Sequence, residues 1–235
     1  MDDRGHLSAT YRPRAADAPH PEPGLQKLGL GSRRDSYIHV PEAYRPDSPL
    51  PLVLLLHGAG GHAHDGLRIL LHLADHYGLI LVAPASHAAT WDIIARRAYG
   101  ADLALVERSL DHVFTHYAID PQHVGIGGFS DGASYALTLG LANGELFTHV
   151  LAFSPGFIGP IEQRGRPAVF VSHGELDTVL PIDACGRNIA RQLHAAAYAI
   201  RYQEFQGGHV IPPEVAEQAV GWFTSRRQDG EHADQ

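Results

Sequence analysis

The sequence predicts one α/β domain, a mostly parallel central sheet with helices on both faces and no large cap domain. Three features lead there. From Arg34 onward, short β-rich runs alternate with helical patterns, which is how successive strand-helix-strand units read. Runs such as LVLLL at 52–56 are apolar throughout rather than at every second position, as strands covered on both faces are. A length of 235 residues suffices for one large core and is short for two domains.

Taken in order, residues 1–32 are rich in Pro, Ala, Gly and charge without any period, so a mobile, loosely packed extension is expected there. The folded domain is expected over 33–226, followed by a polar, frayed tail over 227–235. Strands are predicted at 37–40, 52–56, 79–83, 124–128, 150–153, 168–172 and 200–205. Leu103, Val106, Leu110, Val113, Phe114 and Tyr117 recur at helical spacing and make 102–117 an amphipathic helix. Further helices are predicted at 67–76, 132–141, 183–196 and 214–224, with Pro212 and Pro213 where the last begins. Only residues 154–166 separate two strands, and Pro155, Gly156, Gly159, Pro160 and Gly165 break that stretch, so it cannot build a helical cap.

Composition narrows the partners. Hydrophobic residues are 44% and charged residues 19%, ordinary for a globular protein. A formal charge of -8 leaves no basic footprint, so neither nucleic acid nor a membrane is expected as a partner. No run approaches the roughly 18 apolar residues of a membrane span. The lone Cys185 forbids an intramolecular disulfide and reads as a small buried hydrophobe. With no apolar signal stretch near the start, cytoplasmic residence is the default expectation.

The sharpest motif is Gly128-Phe129-Ser130-Asp131-Gly132, between a predicted strand and a predicted helix. A serine on such a tight turn projects its hydroxyl from the carboxyl end of the strand, and small neighbours let the turn close. A hydroxyl becomes a nucleophile only with a base, and the base needs an orienting carboxylate. Both follow in chain order: Asp177 in the loop after strand 168–172, and His209 in Gly207-Gly208-His209 after strand 200–205. Glu175 and Asp183 compete for the carboxylate role. Glu175 precedes the expected turn, and Asp183 sits where a helix begins and reads as its cap. Of 17 histidines, most, including His72, His76, His112, His116 and His194, fall in helical patterns. His57, His62 and His64 lack the spacing that would hold zinc on one helix, so neither a metal nor an organic cofactor is expected. The glycine-rich turn His57-Gly58-Ala59-Gly60-Gly61 can offer a backbone N–H to a developing oxyanion; Ala59 and Asp131 are the expected donors, with His57 ordering the loop.

Taken together, LLHGAGG, GGFSDG, HGELDTVLP and GGH resemble the carboxylesterase/phospholipase group of α/β-hydrolases, small cap-less serine esterases, over roughly Arg34 to Phe223. The resemblance implies hydrolysis of carboxylic esters without cofactor, and the family's triad falls on Ser130, Asp177 and His209. Asp131 stands where many of these esterases carry Gln or Met, which leaves the backbone donor intact. The expected activity is therefore hydrolysis of short-chain carboxylic esters through an acyl-enzyme on Ser130. A thioesterase or amidase of the same fold is the nearest alternative, and a non-catalytic binding protein the more distant one. Phe157, Ile158 and Trp91 are candidates for a short acyl pocket; Trp91 reads equally well as a packing anchor.

Overall fold

The computed structural model describes residues 5–14 and 21–225. Its eight strands are β1 (Gly24–Lys27), β2 (Tyr37–Val40), β3 (Leu50–Leu56), β4 (Ile80–Ala83), β5 (Ile119–Phe129), β6 (His149–Phe153), β7 (Ala168–Gly174) and β8 (Ile200–Phe205). They form one sheet in the order β1-β2-β4-β3-β5-β6-β7-β8. β1 and β2 run antiparallel to their neighbours, and every pairing from β4 to β8 is parallel. All seven predicted strands are present.

The helices are α1 (Ala63–Arg68), α2 (Ala74–Tyr77), α3 (Asp92–Arg96), α4 (Ala101–His116), α5 (Asp131–Ala142), α6 (Gly186–Ala195) and α7 (Pro213–Thr224). They cover both faces of the sheet. Leu52, Leu54 and Leu56 of β3 pack with Val106, Val113 and Phe114 of α4 and with Leu137 of α5. Val53 and Leu55 point the other way, into a second cluster with Leu67 of α1 and with Val220 and Phe223 of α7. Every second residue of an apolar strand thus feeds a different core. No helix lies between β6 and β7, so nothing from that segment caps the sheet's carboxyl edge.

Three expectations need correction. Residues 1–32 are not a loosely packed arm where they are described: β1 pairs with β2, and Ala9 and Leu28 are buried in the core. Their ordering rests on distant partners, since the Leu7 N–H donates to Asn143 Oδ1 and the Ser8 N–H to Glu107 Oε1. The single helix expected at 67–76 is instead α1, a turn of 3-10 helix over Leu71–Leu73, and α2, because the chain bends at Leu70 (φ -128, ψ 0). Asp183 does not cap α6, whose cap is Cys185; it pairs with Arg187 at 2.9 Å on the surface. α3 is an unpredicted element. The expected tail at 227–235 lies outside the described residues. Among the described residues, no helix is long and apolar enough to cross a membrane.

Candidate active site

The strand β5 carries glycines where it enters the site because the backbones there nearly touch. A Cβ on Gly132 would lie 2.0 Å from Leu56 O, and one on Gly128 would lie 2.5 Å from the Gly132 carbonyl. Only glycine lets β5 and α5 meet this closely. Between them Ser130 adopts φ 57 and ψ -120, a strained conformation for a side chain-bearing residue. The strain is held by the Ser130 N–H donating to Phe153 O at 3.0 Å and the Ser134 N–H donating to Ser130 O at 3.0 Å. The Ser130 hydroxyl makes no capping bond to α5. It lies instead 2.9 Å from His209 Nε2.

His209 Nδ1 is 2.6 Å from Asp177 Oδ2. A carboxylate only accepts, so Nδ1 carries the proton and Nε2 is left to accept from the Ser130 hydroxyl. Asp177 is buried, and its Oδ1 accepts the Val179 and Leu180 N–H groups at 2.9 and 2.8 Å. Burial works to raise its carboxyl, but the Leu180 donor, His209 and the Val179 donor together hold it below the ordinary carboxylate value. The carboxylate therefore stays ionised beside the imidazole.

The fully buried His173 packs under the same loop, its Nε2 2.7 Å from Leu180 O and 3.4 Å from Asp177 Oδ2. The motif HGELD contained this residue, yet its bracing of the acid loop could not be read from spacing. Glu175 and Asp183 make no contact with His209; Asp183 is spent on Arg187.

The turn after β3 is braced from three sides. The His57 ring sets its start: the Ser86 N–H donates to Nε2 at 3.1 Å, so Nδ1 carries the proton and donates to Gly58 O at 2.7 Å. Desolvation lowers the pKa of His57, which keeps the ring neutral in this role. Arg34 donates to Gly61 O, Ser86 O and Ala88 O, tying this turn to the loop after β4. Among the described residues the N–H groups of Ala59 and Asp131 have no protein acceptor, whereas those of Gly60 and Gly61 donate to Ala89 O and Gly58 O. Asp131 also opens α5, whose dipole favours negative charge there. Its side chain accepts from Thr90 Oγ1 at 2.5 Å. Arg34 and Thr90 were invisible as site residues because their contacts span long stretches of chain.

A cleft of about 400 Å³ surrounds Ser130, walled by Gly58, Ala59, Phe129, Val179 and His209. Trp91 does not line it. This side chain is fully buried, stacks 4.7 Å from His57 and 5.2 Å from Tyr135, and donates its indole N–H to His57 O at 2.9 Å. It is a packing anchor beneath the turn, which corrects its reading as a pocket residue. Phe157 is exposed and Ile158 half-buried against the core; neither is a wall of this cleft. Among the described residues no three His, Cys, Asp or Glu side chains gather as metal ligands, and the His64 ring packs on Tyr37 rather than on His57.

Comparison with known proteins adds to the geometry. The family profile described as "Putative esterase" matches residues 29–175. The protein named "Probable feruloyl esterase C" of Aspergillus oryzae is 30% identical over 169 residues, 68% of this chain and 60% of its own length. The "Bifunctional acetylxylan esterase/xylanase XynS20E" of Neocallimastix patriciarum is 27% identical over 74% of this chain and 26% of its own length. This chain therefore spans less than two thirds of the length of these relatives. The structure of the Staphylococcus aureus fluorophosphonate-binding serine hydrolase FphF superposes with a TM-score of 0.70 at 16% identity, over 87% of this chain and 100% of that one, a likeness of fold.

Proposed function

The chain belongs to this esterase family, carboxylic ester hydrolases of the α/β-hydrolase fold, and on that footing we propose that it is a serine esterase cleaving short-chain carboxylic esters through an acyl-enzyme on Ser130. The carrying observation is the relay from Ser130 through His209 to Asp177, at 2.9 and 2.6 Å, on the floor of an open cleft. His209 takes the serine proton as Ser130 Oγ attacks the ester carbonyl, and the N–H groups of Ala59 and Asp131 receive the oxyanion. The same imidazole then protonates the departing alcohol. Water, deprotonated by His209 in turn, releases the acid, so the scheme requires neither metal nor organic cofactor.

The short-acyl preference rests on the bare mouth between β6 and β7. A methylene contributes about 0.8 kcal/mol only where it is buried, and the open mouth offers a long acyl chain little wall. In this proposal the catalytic domain is 33–226 and the lone, buried Cys185 suits a cytoplasmic setting.

A fluorophosphonate probe should label the wild type and not Ser130→Ala. Across p-nitrophenyl esters, kcat/KM should be highest for acetate and butyrate and should show no jump at micelle formation. No labelling, or faster turnover of a matched thioester or anilide, would overturn the assignment.

A further inference from the structure

A second groove, also of about 400 Å³, opens beside the Ser130 cleft and shares Gly58, Phe129 and His209 with it. It runs between the end of α1 and the start of α7. Its walls are apolar, with Ile69, Phe129, Val210, Ile211 and Ala216 the main contributors. The charged groups on it are Arg68 and Asp65, which face each other at 3.7 Å and cancel; His72 stands exposed at the rim. No net charge is left to select an ionic ligand.

Which half of an ester this groove takes follows from the proton transfers. The alcohol oxygen leaves by receiving the proton from His209 Nε2, so the alcohol must depart on the side of that ring. The groove is walled by that ring and by Phe129, the residue before the nucleophile, with ring centres 4.6 Å apart. We infer that the groove is the alcohol subsite and that it selects bulky, uncharged, apolar alcohols such as arylmethyl groups. This rests on the serine-esterase reading and narrows it. A sugar alcohol fits poorly, because its hydroxyls would lose water against Ile69, Ile211 and Ala216 without gaining partners.

The surface outside continues the pattern. Of the five large hydrophobic side chains exposed among the described residues, Leu176, Val179 and Val210 stand on the two loops that carry Asp177 and His209. Exposed apolar groups gathered at a cleft mouth, rather than scattered, mark a binding surface.

The test varies only the alcohol. Acetates of methanol, 1-butanol and benzyl alcohol have leaving groups of similar basicity, so differences in kcat/KM report fit. We expect benzyl acetate to exceed methyl acetate by at least about tenfold, about 1.4 kcal/mol, less than two fully buried methylenes contribute. Ile211→Trp, which fills the groove, should reduce that ratio to below about threefold. If that variant melts early, Val210→Trp, which starts from an exposed side chain, replaces it. A flat alcohol series in the wild type overturns the inference while leaving the esterase reading intact. So does a groove-filling variant that changes the ratio of methyl butyrate to methyl acetate and leaves the alcohol ratio alone, since the groove would then hold the acyl group. Failure to hydrolyse any acetate overturns the esterase reading itself, and this one with it.

Discussion

Replacing Trp91 with Phe separates support from substrate contact. The indole N–H donates to His57 O at 2.9 Å inside a fully buried stack of His57, Trp91 and Tyr135. Phe keeps an aromatic face but strands the carbonyl, and an unpaired buried acceptor costs about 1–3 kcal/mol. Shrinking indole to phenyl leaves about 40 Å³ empty, worth about 1 kcal/mol at the usual cavity cost. Urea unfolding should therefore show a loss of about 2–4 kcal/mol. The stranded carbonyl belongs to the residue two before Ala59, so the proposed oxyanion donor shifts and kcat/KM should drop by about tenfold for every ester alike. The shape of the acyl-length profile should stay that of the wild type. Stability within about 0.5 kcal/mol of wild type would refute the anchoring argument, and a profile that changes shape would show that Trp91 contacts substrate.

Ser130→Ala and His209→Ala should each lower turnover by about 10⁶-fold with the fold intact, and Asp177→Asn by about 10⁴-fold. Asp183→Asn, which loosens only a surface pair with Arg187, should leave ester hydrolysis near wild type; if it proves worse than Asp177→Asn, the carboxylate is misassigned. Gly132→Ala drives a Cβ to 2.0 Å from Leu56 O and should cost about 3 kcal/mol or more in a melting experiment; near-wild-type stability would mean that β3 and α5 separate easily. Desolvation holds His57 below its ordinary 6.5, so the unfolded chain takes up a proton before the native one does. Its contribution to stability is thus complete above pH 6.5 and lost as pH falls through the folded value. Below pH 6.5, wild-type stability should fall more steeply than that of His57→Gln, by up to about 1.4 kcal/mol per pH unit, and parallel slopes would count against a neutral His57.

What the sequence showed and what it hid divide by the range of the interactions. Strands such as 52–56 and 168–172 were legible because burial on both faces writes an unbroken apolar run. The turn at Ser130 was legible because backbone crowding demands glycine at 128 and 132 within one short motif. That Asp177 and His209 come together beside Ser130 was legible through chain order and position after strands, although 17 histidines made composition useless for finding the ring that does so. β1 escaped because Gly24–Lys27 has no apolar run, and its strand character comes from pairing with Tyr37–Val40. α3 escaped because its start is fixed by a reciprocal exchange, Asp92 N–H to Asp102 Oδ2 and Asp102 N–H to Asp92 Oδ2, across ten residues. For Trp91 the two readings were equal in sequence, and only its burial decides between them.

The central claim is that Ser130 is the nucleophile, and a carbamate ester tests it most directly, because carbamoyl-enzymes are hydrolysed slowly and accumulate. The wild type is incubated with p-nitrophenyl N-methylcarbamate, quenched in acid, digested and mapped by mass spectrometry. The account predicts one carbamoyl group, on Ser130, appearing in step with loss of esterase activity and absent from Ser130→Ala. Persistent ester turnover with no adduct, or an adduct on another side chain, would contradict it.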